Sequence, residues 1–310
     1  MSLGAAPPGQ GIPGWLLDTP RRAAEAGFRE SRHPMERIFI GDVQGCADEL
    51  DEMIARAERR FGARFELWLV GDLVNRGPYN LRVLRTVREW MEQGRARCVL
   101  GNHDIALLRT ALGLREPAPR DSISDVLEAP DLADWIGWLS RLPLVETGRL
   151  GAQSFAMVHG AVHPDWSLRK LERRAARAAA RLAADPAGFL GAKIDEDRDL
   201  LDRLTRCRSV GVGGEWSSEV PSAQREAWHA VWSRRGHDYG VVYGHWALQG
   251  LHVSPGLRGL DTGCVHHGRG HDGVLTAWLP DLRRPRPFDV PDEGLWGVRA
   301  RRRYYADENT

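Results

Sequence analysis

Short apolar runs alternate with amphipathic segments in the first third of the chain. The runs RIFIG (37–41), FELWLVG (65–71) and RCVLG (97–101) predict three short buried strands. Between the first two runs, apolar residues recur at helical spacing from Cys46 to Phe61, and a second amphipathic helix follows FELWLVG. This order of strand, helix, strand, helix, strand predicts parallel pairing through right-handed crossovers.

Beyond this unit the pattern becomes helical and then returns to strands. We predict helices at 105–112 and 123–139, and a strand in QSFAMVHG at 153–160. An insertion at about 164–236 contains the basic helix SLRKLERRAARAAARLAA, whose charges are typical of a solvated helix face. Further strands are predicted in YGVVYGHW, LRGLDTGC and GVLTAWL. The main domain is therefore expected to cover 37–280.

The two ends of the chain have a different composition. Residues 1–36 are rich in Gly, Pro and Arg, and we expect a loosely ordered N-terminal extension. Residues 281–310 contain RRPRP and RARRRYYADENT, and we expect a peripheral C-terminal tail. The N-terminus has no basic stretch followed by an apolar run, so it does not have the pattern of a signal peptide.

Composition and charge exclude several classes of protein. Hydrophobic residues make up 42% of the 310 residues and charged residues 27%, which is globular composition rather than disordered or fibrous. A net charge of +1 argues against bulk binding to nucleic acid or an anionic membrane. Four cysteines without a CxxC pair favour reduced thiols, and no apolar stretch is long enough to span a bilayer. We therefore expect a cytoplasmic protein.

Polar residues with metal-binding chemistry follow the apolar strands. Asp42, Asp72 and Asn102 each come after a glycine at a strand end, at intervals of thirty residues, and His159 and His245 follow two later strands. The ends of parallel strands meet at one rim of a sheet, so these side chains should converge. Carboxylate, amide and imidazole together suit divalent ions, and one shared carboxylate suits a pair of them. A single strand-end Asp is more often a cap, but five such positions favour a metal site.

Five ordered blocks of sequence carry a family resemblance. GDVQG, GDLVNRG, GNHD, VHG and GHW resemble the motifs of the calcineurin-like metallophosphoesterases, in the branch that includes the phosphoprotein phosphatases. Within that branch the sequence is most similar to the bacterial symmetrical diadenosine tetraphosphatases. The resemblance covers about residues 37–280. It implies an α/β metallophosphoesterase fold, either a β-sandwich or a mixed sheet flanked by helices, with a helical cap inserted at about 164–236.

The resemblance also implies two divalent metal ions and the residues that bind them. Asp42 and Gln44 would bind the first ion, Asp72 would bridge both ions, and three further residues would bind the second ion: Asn102, His159 and His245. Gln44 stands where the phosphatase motif has a histidine. Because an amide oxygen is neutral and harder than imidazole, we expect a weaker first site that favours Mn2+ over Zn2+. Mn2+ is the expected ion, with Co2+, Mg2+, Fe and Zn as alternatives.

Catalytic and substrate-binding roles follow from the same resemblance. His103 would protonate the leaving oxygen, Asp72 would act as the bridging ligand, and Arg76 would grip a phosphate through a bidentate fork. Phosphate-binding roles are also implied for three other residues: Asn102, Arg206 and Arg208. Asn75 replaces the Asp that orients the catalytic histidine of protein phosphatases. This exchange predicts a less favoured protonated His103 and a preference for anhydrides over alkyl esters.

The expected reaction is the symmetrical hydrolysis of diadenosine tetraphosphate to two ADP by a hydroxide that bridges the two metals. The substrate is therefore expected to be a dinucleoside polyphosphate, and nucleotide-capped RNA ends are a further class left open. One alternative is a protein serine/threonine phosphatase with the same dinuclear site. Another is a non-catalytic nucleotide-binding regulator whose metal site is lost at Gln44. The intact Asp72, Asn102 and His103 count against that loss.

Overall fold

The computed structural model describes residues 35–268, 273–289 and 294–304. The predicted N-terminal extension lies outside the described residues except for its last two positions, and so do residues 305–310 of the predicted tail. Within the described ranges, no helix combines the length and the apolar character needed to cross a membrane.

The described residues form thirteen strands and nine α-helices. The strands are β1 (Glu36–Ile40), β2 (Phe65–Leu69), β3 (Ala96–Cys98), β4 (Val145–Leu150), β5 (Gln153–Val158), β6 (Ser209–Gly211), β7 (Trp216–Ser217), β8 (Arg225–Ala227), β9 (Tyr239–Tyr243), β10 (His252–Ser254), β11 (Leu257–Gly259), β12 (Val274–Trp278) and β13 (Leu295–Arg299). The helices are α1 (Ala47–Phe61), α2 (Asn80–Glu92), α3 (Asn102–Ala111), α4 (Ser124–Leu127), α5 (Leu132–Leu139), α6 (Leu168–Ala184), α7 (Pro186–Gly191), α8 (Glu196–Arg206) and α9 (Trp228–Ser233).

The first sheet contains the three parallel strands that the apolar runs predict. Its order is β13-β12-β1-β2-β3, and β1, β2 and β3 pair in parallel with α1 and α2 as crossovers. Ile38 lies opposite Leu67, which in turn lies opposite Ala96. β12 pairs with β1 in the antiparallel sense, and β13 pairs with β12 in the same way. The carboxyl ends of β1, β2 and β3 therefore meet at one edge.

The second sheet is mixed and packs face to face with the first. Its order is β10-β11-β9-β5-β4, with β5, β9 and β11 parallel and the two outer strands antiparallel. Aromatic rings fill the space between the sheets: Phe39 and Trp68 of the first sheet each lie 5.3 Å from Phe155 of the second, measured between ring centroids. Ile38 and Ile40 alternate with Phe39 and enter the core shared with the helices. The predicted α/β fold class is confirmed, in its β-sandwich form.

The predicted insertion contains a small sheet as well as helices. α6 buries four residues along one face: Leu171, Ala175, Ala178 and Leu182. Its basic face is partly neutralised, because Arg177 and Arg181 donate to Asp197 at the start of α8 at 2.7 and 2.9 Å. After α8 the antiparallel strands β7, β6 and β8 form a three-stranded sheet, which the sequence pattern does not predict.

Two expectations from the sequence are wrong in detail. The helix predicted at 123–139 is broken into α4 and α5, because Pro130 lacks an amide hydrogen and disfavours helical geometry at Ala129. The predicted tail is also more than peripheral, since β13 pairs with β12 along its whole length. The first sheet therefore extends past residue 280.

Candidate metal centre and active site

The five strand-end residues that we expected to converge lie at one edge of the sandwich. Asp42 and Asp72 follow β1 and β2, Asn102 begins α3 directly after β3, and His159 and His245 follow β5 and β9. Asp42, Asp72 and His159 are buried, and each offers a ligand atom within 4.8 Å of the other two. Both sheets thus contribute to a single cluster of potential metal ligands.

The loops that carry these residues adopt unusual backbone geometry. Among the described residues, five other than glycine have a positive φ: Gln44 (47°), Asp72 (49°), Asn75 (79°), Arg76 (70°) and His245 (71°). All five are residues of this site, where left-handed turns direct the side chains inward. The approach is also close, because a Cβ atom on Gly101 would lie 2.2 Å from the backbone nitrogen of Asp72. Strain of this kind is often concentrated at functional sites.

Backbone carbonyls fix the two histidine rings. His159 Nδ1 lies 3.0 Å from the Val70 carbonyl oxygen, and His245 Nε2 lies 3.1 Å from the Arg206 carbonyl oxygen. A carbonyl can only accept, so these nitrogens carry the hydrogens. The other ring nitrogen of each histidine faces the Asn102 side chain and carries a lone pair when the ring is neutral. This arrangement is the usual outer support of a metal-binding histidine.

The Asn102 amide lies where these lone pairs converge. Its inward end is 3.0 Å from His159 Nε2, 2.7 Å from His245 Nδ1 and 3.1 Å from the Thr205 carbonyl oxygen. With nitrogen at that end, the amide donates to these acceptors. With oxygen there, lone pairs face one another, which a divalent cation would stabilise. The donor set therefore fits a metal ion.

Asp42 and Gln44 also lie beside Asp72. Both carboxylate oxygens of Asp42 accept from the His245 backbone amide, at 3.1 and 3.2 Å. Burial, followed by repulsion from Asp261 and Asp72, raises the pKa of Asp42 well above its usual range. Gln44 meets Asp72 through its amide nitrogen, with Nε2 at 3.4 Å from Oδ2. Ligation through the Gln44 oxygen requires the amide to rotate, so its role as a ligand stays a prediction.

Asp104, to which the sequence analysis assigned no role, fixes the turns after β2 and β3. Its buried carboxyl group accepts backbone hydrogen bonds from Asp72 at 3.0 Å, from Leu73 at 2.9 Å and from Gly101 at 2.9 Å. It therefore ties the turn after β2 to the turn after β3. Burial, followed by repulsion from Asp72, raises the pKa of Asp104 to about 7.

Asp261, after β11, adds a fourth buried carboxyl group to this edge. It accepts from the backbone amide of Gly263 at 3.0 Å, and burial raises its pKa to about 6. Burial would also raise the pKa of Asp72, but His159 and His103 hold it well below the usual range. Crowding carboxylates in a buried region is costly without counter-charge, and bound cations would supply that charge.

His103 lies beside the cluster and is joined to Asn75. The distance from His103 Nε2 to Asp72 Oδ2 is 3.9 Å, and His103 Nδ1 lies 3.0 Å from Asn75 Nδ2. Burial, opposed in part by Asp72, lowers the pKa of His103. Arg76 donates to the Arg120 carbonyl oxygen at 2.6 Å and lies 3.7 Å from Asp121 Oδ1.

Two cavities meet at Asn102 and His103. The larger, of about 440 Å³, contains two aspartates, Asp121 and Asp202, and five arginines: Arg76, Arg109, Arg115, Arg198 and Arg206. Burial and the neighbouring Arg198 lower the pKa of Arg109, which shows how crowded these cations are. The smaller cavity, of about 140 Å³, is lined by Arg208, Trp246 and Leu248. Arg206 and Arg208, predicted together, thus line different cavities.

Three aspartates of the site were not identified from the sequence, and only two of them lie within recognisable sequence motifs. Asp104 belongs to GNHD and Asp261 to LDTGC, so both lie within blocks that carry the family resemblance. Asp121 has no such signal. It lies on the loop before α4, yet its side chain accepts from Asn75 Nδ2 at 2.8 Å.

Comparison with known proteins agrees with this geometry. The family described as calcineurin-like phosphoesterase matches residues 35–203. A symmetrical bis(5'-nucleosyl)-tetraphosphatase from Ralstonia nicotianae is 37% identical over 250 residues, which cover 74% of this chain and 86% of the relative. The enzyme of the same name from Edwardsiella ictaluri is 35% identical over 280 residues, or 83% and 96% of the two chains.

A solved structure described as a candidate diadenosine tetraphosphatase is similar in both sequence and fold. It has a TM-score of 0.58 and 25% identity, and the match covers 86% of this chain and 94% of the other. The resemblance drawn from the five sequence blocks is thereby confirmed. The protein belongs to the calcineurin-like phosphoesterase family.

Proposed function

We propose that the protein hydrolyses the central anhydride of diadenosine tetraphosphate and releases two ADP. The relatives described above carry the name of that activity, and the chain covers 86% and 96% of their lengths. The structural observation that carries the proposal is a cluster of metal-type ligands whose neighbours Asn102 and His103 line an arginine-rich groove. A polyphosphate with several negative charges suits such a groove.

Membership of the family implies two divalent ions, and the donor set described above fits them. We assign Asp42 and Gln44 to one ion, Asp72 to both, and three residues to the other: Asn102, His159 and His245. Bound divalent ions would supply Lewis acidity and a water molecule that ionises near neutral pH. Mn2+ is the proposed ion because oxygen donors predominate over nitrogen donors in this set.

The side chains around the cluster can bind and orient the substrate. The proposed role of Arg76 is to hold a phosphate oxygen, since its guanidinium lines the larger cavity beside His103. His103 lines both cavities and would donate a hydrogen bond to the leaving oxygen. A nucleoside diphosphate is a weakly basic leaving group, so a hydrogen bond together with electrostatic stabilisation can assist its departure.

The placement of Arg206 and Arg208 fits a symmetrical cleavage. Breaking the central anhydride leaves two phosphates on each side of the cut, so phosphate-binding groups are needed in both directions. Arg206 lines the larger cavity and Arg208 the smaller one, and the cavities meet at Asn102 and His103. We therefore assign one ADP half of the substrate to each cavity.

We also propose a cytoplasmic location. All four cysteines are buried and free, which suits a reducing compartment. The proposed partner is the small-molecule substrate, since the net charge of +1 gives no general attraction to nucleic acid or membrane.

The test is product analysis by anion-exchange chromatography with Mn2+ present. Diadenosine tetraphosphate should give ADP as the sole nucleotide product, and Asp72→Asn should give none. AMP together with ATP would show asymmetrical cleavage and refute the proposal. A higher kcat/KM for a phosphoserine peptide would replace it with the protein-phosphatase alternative. A nucleotide-capped RNA in parallel would show whether that class is also cleaved.

A further inference from the structure

A chain of hydrogen bonds runs from His103 away from the metal-type cluster. Asn75 Nδ2 lies 3.0 Å from His103 Nδ1 and donates to Asp121 Oδ1 at 2.8 Å. The Asp121 side chain is only 3% exposed, although the residue belongs to the loop before α4. A buried carboxylate therefore acts on His103 through an intervening amide rather than directly.

The contacts of Asn75 determine which way its amide faces. Its Oδ1 accepts from the backbone amides of Arg76 at 2.8 Å and Ser122 at 3.1 Å. Its nitrogen faces the Asp121 carboxylate, which can only accept. Turning the amide over would set its oxygen against that carboxylate and its nitrogen against two donors. The NH2 group is thus held towards His103.

This orientation settles which nitrogen of His103 carries the hydrogen. A donor from Asn75 requires a lone pair on Nδ1, so the hydrogen of the neutral ring resides on Nε2. Nε2 is the atom on the side of Asp72, at 3.9 Å from Oδ2, and His103 lines both cavities. An aspartate at position 75 would instead accept a hydrogen from Nδ1.

Asp121 is itself firmly anchored. Its second carboxylate oxygen accepts from the backbone amide of Ala118 at 2.8 Å and from the guanidinium of Arg115 in a short contact. We propose that Asp121 is a positioning residue that, through Asn75, holds His103 with its Nε2–H turned towards the reacting phosphate. This role rests on the proposed function for its catalytic consequence, but the ring geometry can be tested separately.

The first experiment reads the tautomer directly. Protein with ¹⁵N-labelled histidine is loaded with Mg2+, which is diamagnetic, and the ring signals are assigned by their loss in His103→Gln. In the wild type, Nδ1 should give the shift of a lone-pair nitrogen and Nε2 that of a protonated one. Asp121→Ala, which removes the acceptor, should move both signals towards the other tautomer at the same pH. Asp134→Ala, at an exposed position of α5, is the control and should leave both signals unchanged.

The second experiment measures turnover of diadenosine tetraphosphate. Asp121→Ala should lower kcat by about 10- to 100-fold, as for other outer supports of a site, while KM changes little. Asn75→Ala and the double variant Asn75→Ala/Asp121→Ala should have the same kcat, since Asp121 acts through Asn75.

Either experiment can overturn the inference. A wild-type Nδ1 that carries the hydrogen, or ring signals unchanged in Asp121→Ala, would show that Asp121 does not set the tautomer. If the Asp121 substitution lowered kcat as much in Asn75→Ala as it does in the wild type, Asp121 would act independently of Asn75. A wild-type enzyme that does not cleave diadenosine tetraphosphate would refute the proposed function, while the histidine spectra would still decide the role of Asp121.

Discussion

Asp104 should stabilise the site through three hydrogen bonds, and their contribution to stability can be measured separately from that of its charge. Oδ2 accepts from the backbone amides of Asp72 and Gly101, and Oδ1 accepts from that of Leu73. In Asp104→Asn the amide oxygen can keep the first two bonds, which leaves one amide without an acceptor. In Asp104→Ala all three amides lose their acceptor.

The expected losses follow from these counts. A buried donor without a partner costs about 1–3 kcal/mol, so Asp104→Asn should lower the free energy of unfolding by about that amount. Because the pKa of Asp104 is raised to about 7, either substitution also removes a buried charge that is unfavourable at neutral pH. The two variants share that gain. Asp104→Ala should therefore be less stable than Asp104→Asn by about 2–6 kcal/mol, from the two further unpaired amides.

Urea unfolding followed by tryptophan fluorescence measures this difference in free energy of unfolding. The measurement is made in EDTA, and its reversibility is checked by recovery of activity after refolding and addition of Mn2+. EDTA removes the contribution of bound metal to stability. Asp134→Ala, an exposed aspartate in α5, is the control and should change stability by less than about 0.5 kcal/mol. Equal stability of the Asn and Ala variants would refute the assigned hydrogen bonds. Metal affinity should fall in the same order, because these bonds fix the turns that carry Asp72 and Asn102.

Further predictions concern the ligands and the charge of the site. Asp72→Ala should abolish turnover with Mn2+, because its carboxylate lies 3.3 Å from His159 Nε2 at the centre of the cluster; near-normal kcat would contradict this. Gln44→His should tighten metal binding at the first site with unchanged products, since imidazole binds transition metals better than an amide oxygen; calorimetric titration with two equally tight wild-type sites would speak against it. Asn75→Asp should raise kcat/KM for alkyl phosphates more than for the anhydride, because a carboxylate stabilises imidazolium; equal gains would exclude that reason. In EDTA, Asp104 should contribute stability that is lost as the pH rises from about 4 to about 7, because its folded pKa of about 7 exceeds the unfolded value of 3.8; urea unfolding of wild type and Asp104→Asn at each pH should show their difference in unfolding free energy shifting in favour of the variant as the pH rises.

The sequence predicts the parallel half of the first sheet because β1 and β2 are largely buried on both faces and β3 leads into the buried residues Val99 and Leu100. Such strands appear as continuous apolar runs, and the helices between them have one apolar face. The sheet in the insertion lacks such a signal, because its strands have only two or three residues. β13 was missed for a different reason, since it follows the proline- and arginine-rich segment assigned to the tail.

The candidate site divides in the same way. Residues placed directly after apolar strands could be predicted to converge, because parallel topology brings the strand ends together. Asp121 could not, because nothing in the 45 residues that separate it from Asn75 specifies how the loop before α4 folds back. The contact with Asp121 also changes the role of Asn75 towards His103. Asn75 does not replace an aspartate as a weaker acceptor, because its NH2 group donates to His103 and is held in place by Asp121.

The backbone explains why these roles are hard to exchange. Left-handed φ angles cost of the order of 1–3 kcal/mol for most residues, and Gln44 adopts one. Glycine would relieve the strain but would delete a proposed ligand, so stability and metal binding oppose each other at this position. Asn75, with φ of 79°, differs, because asparagine and aspartate both tolerate this region well. Asn75→Asp should therefore leave the turn intact, but it replaces the NH2 group that faces both His103 and Asp121 with a carboxylate oxygen. Its effect on the choice of leaving group therefore reports on both hydrogen bonds, because the new carboxylate also lies against that of Asp121.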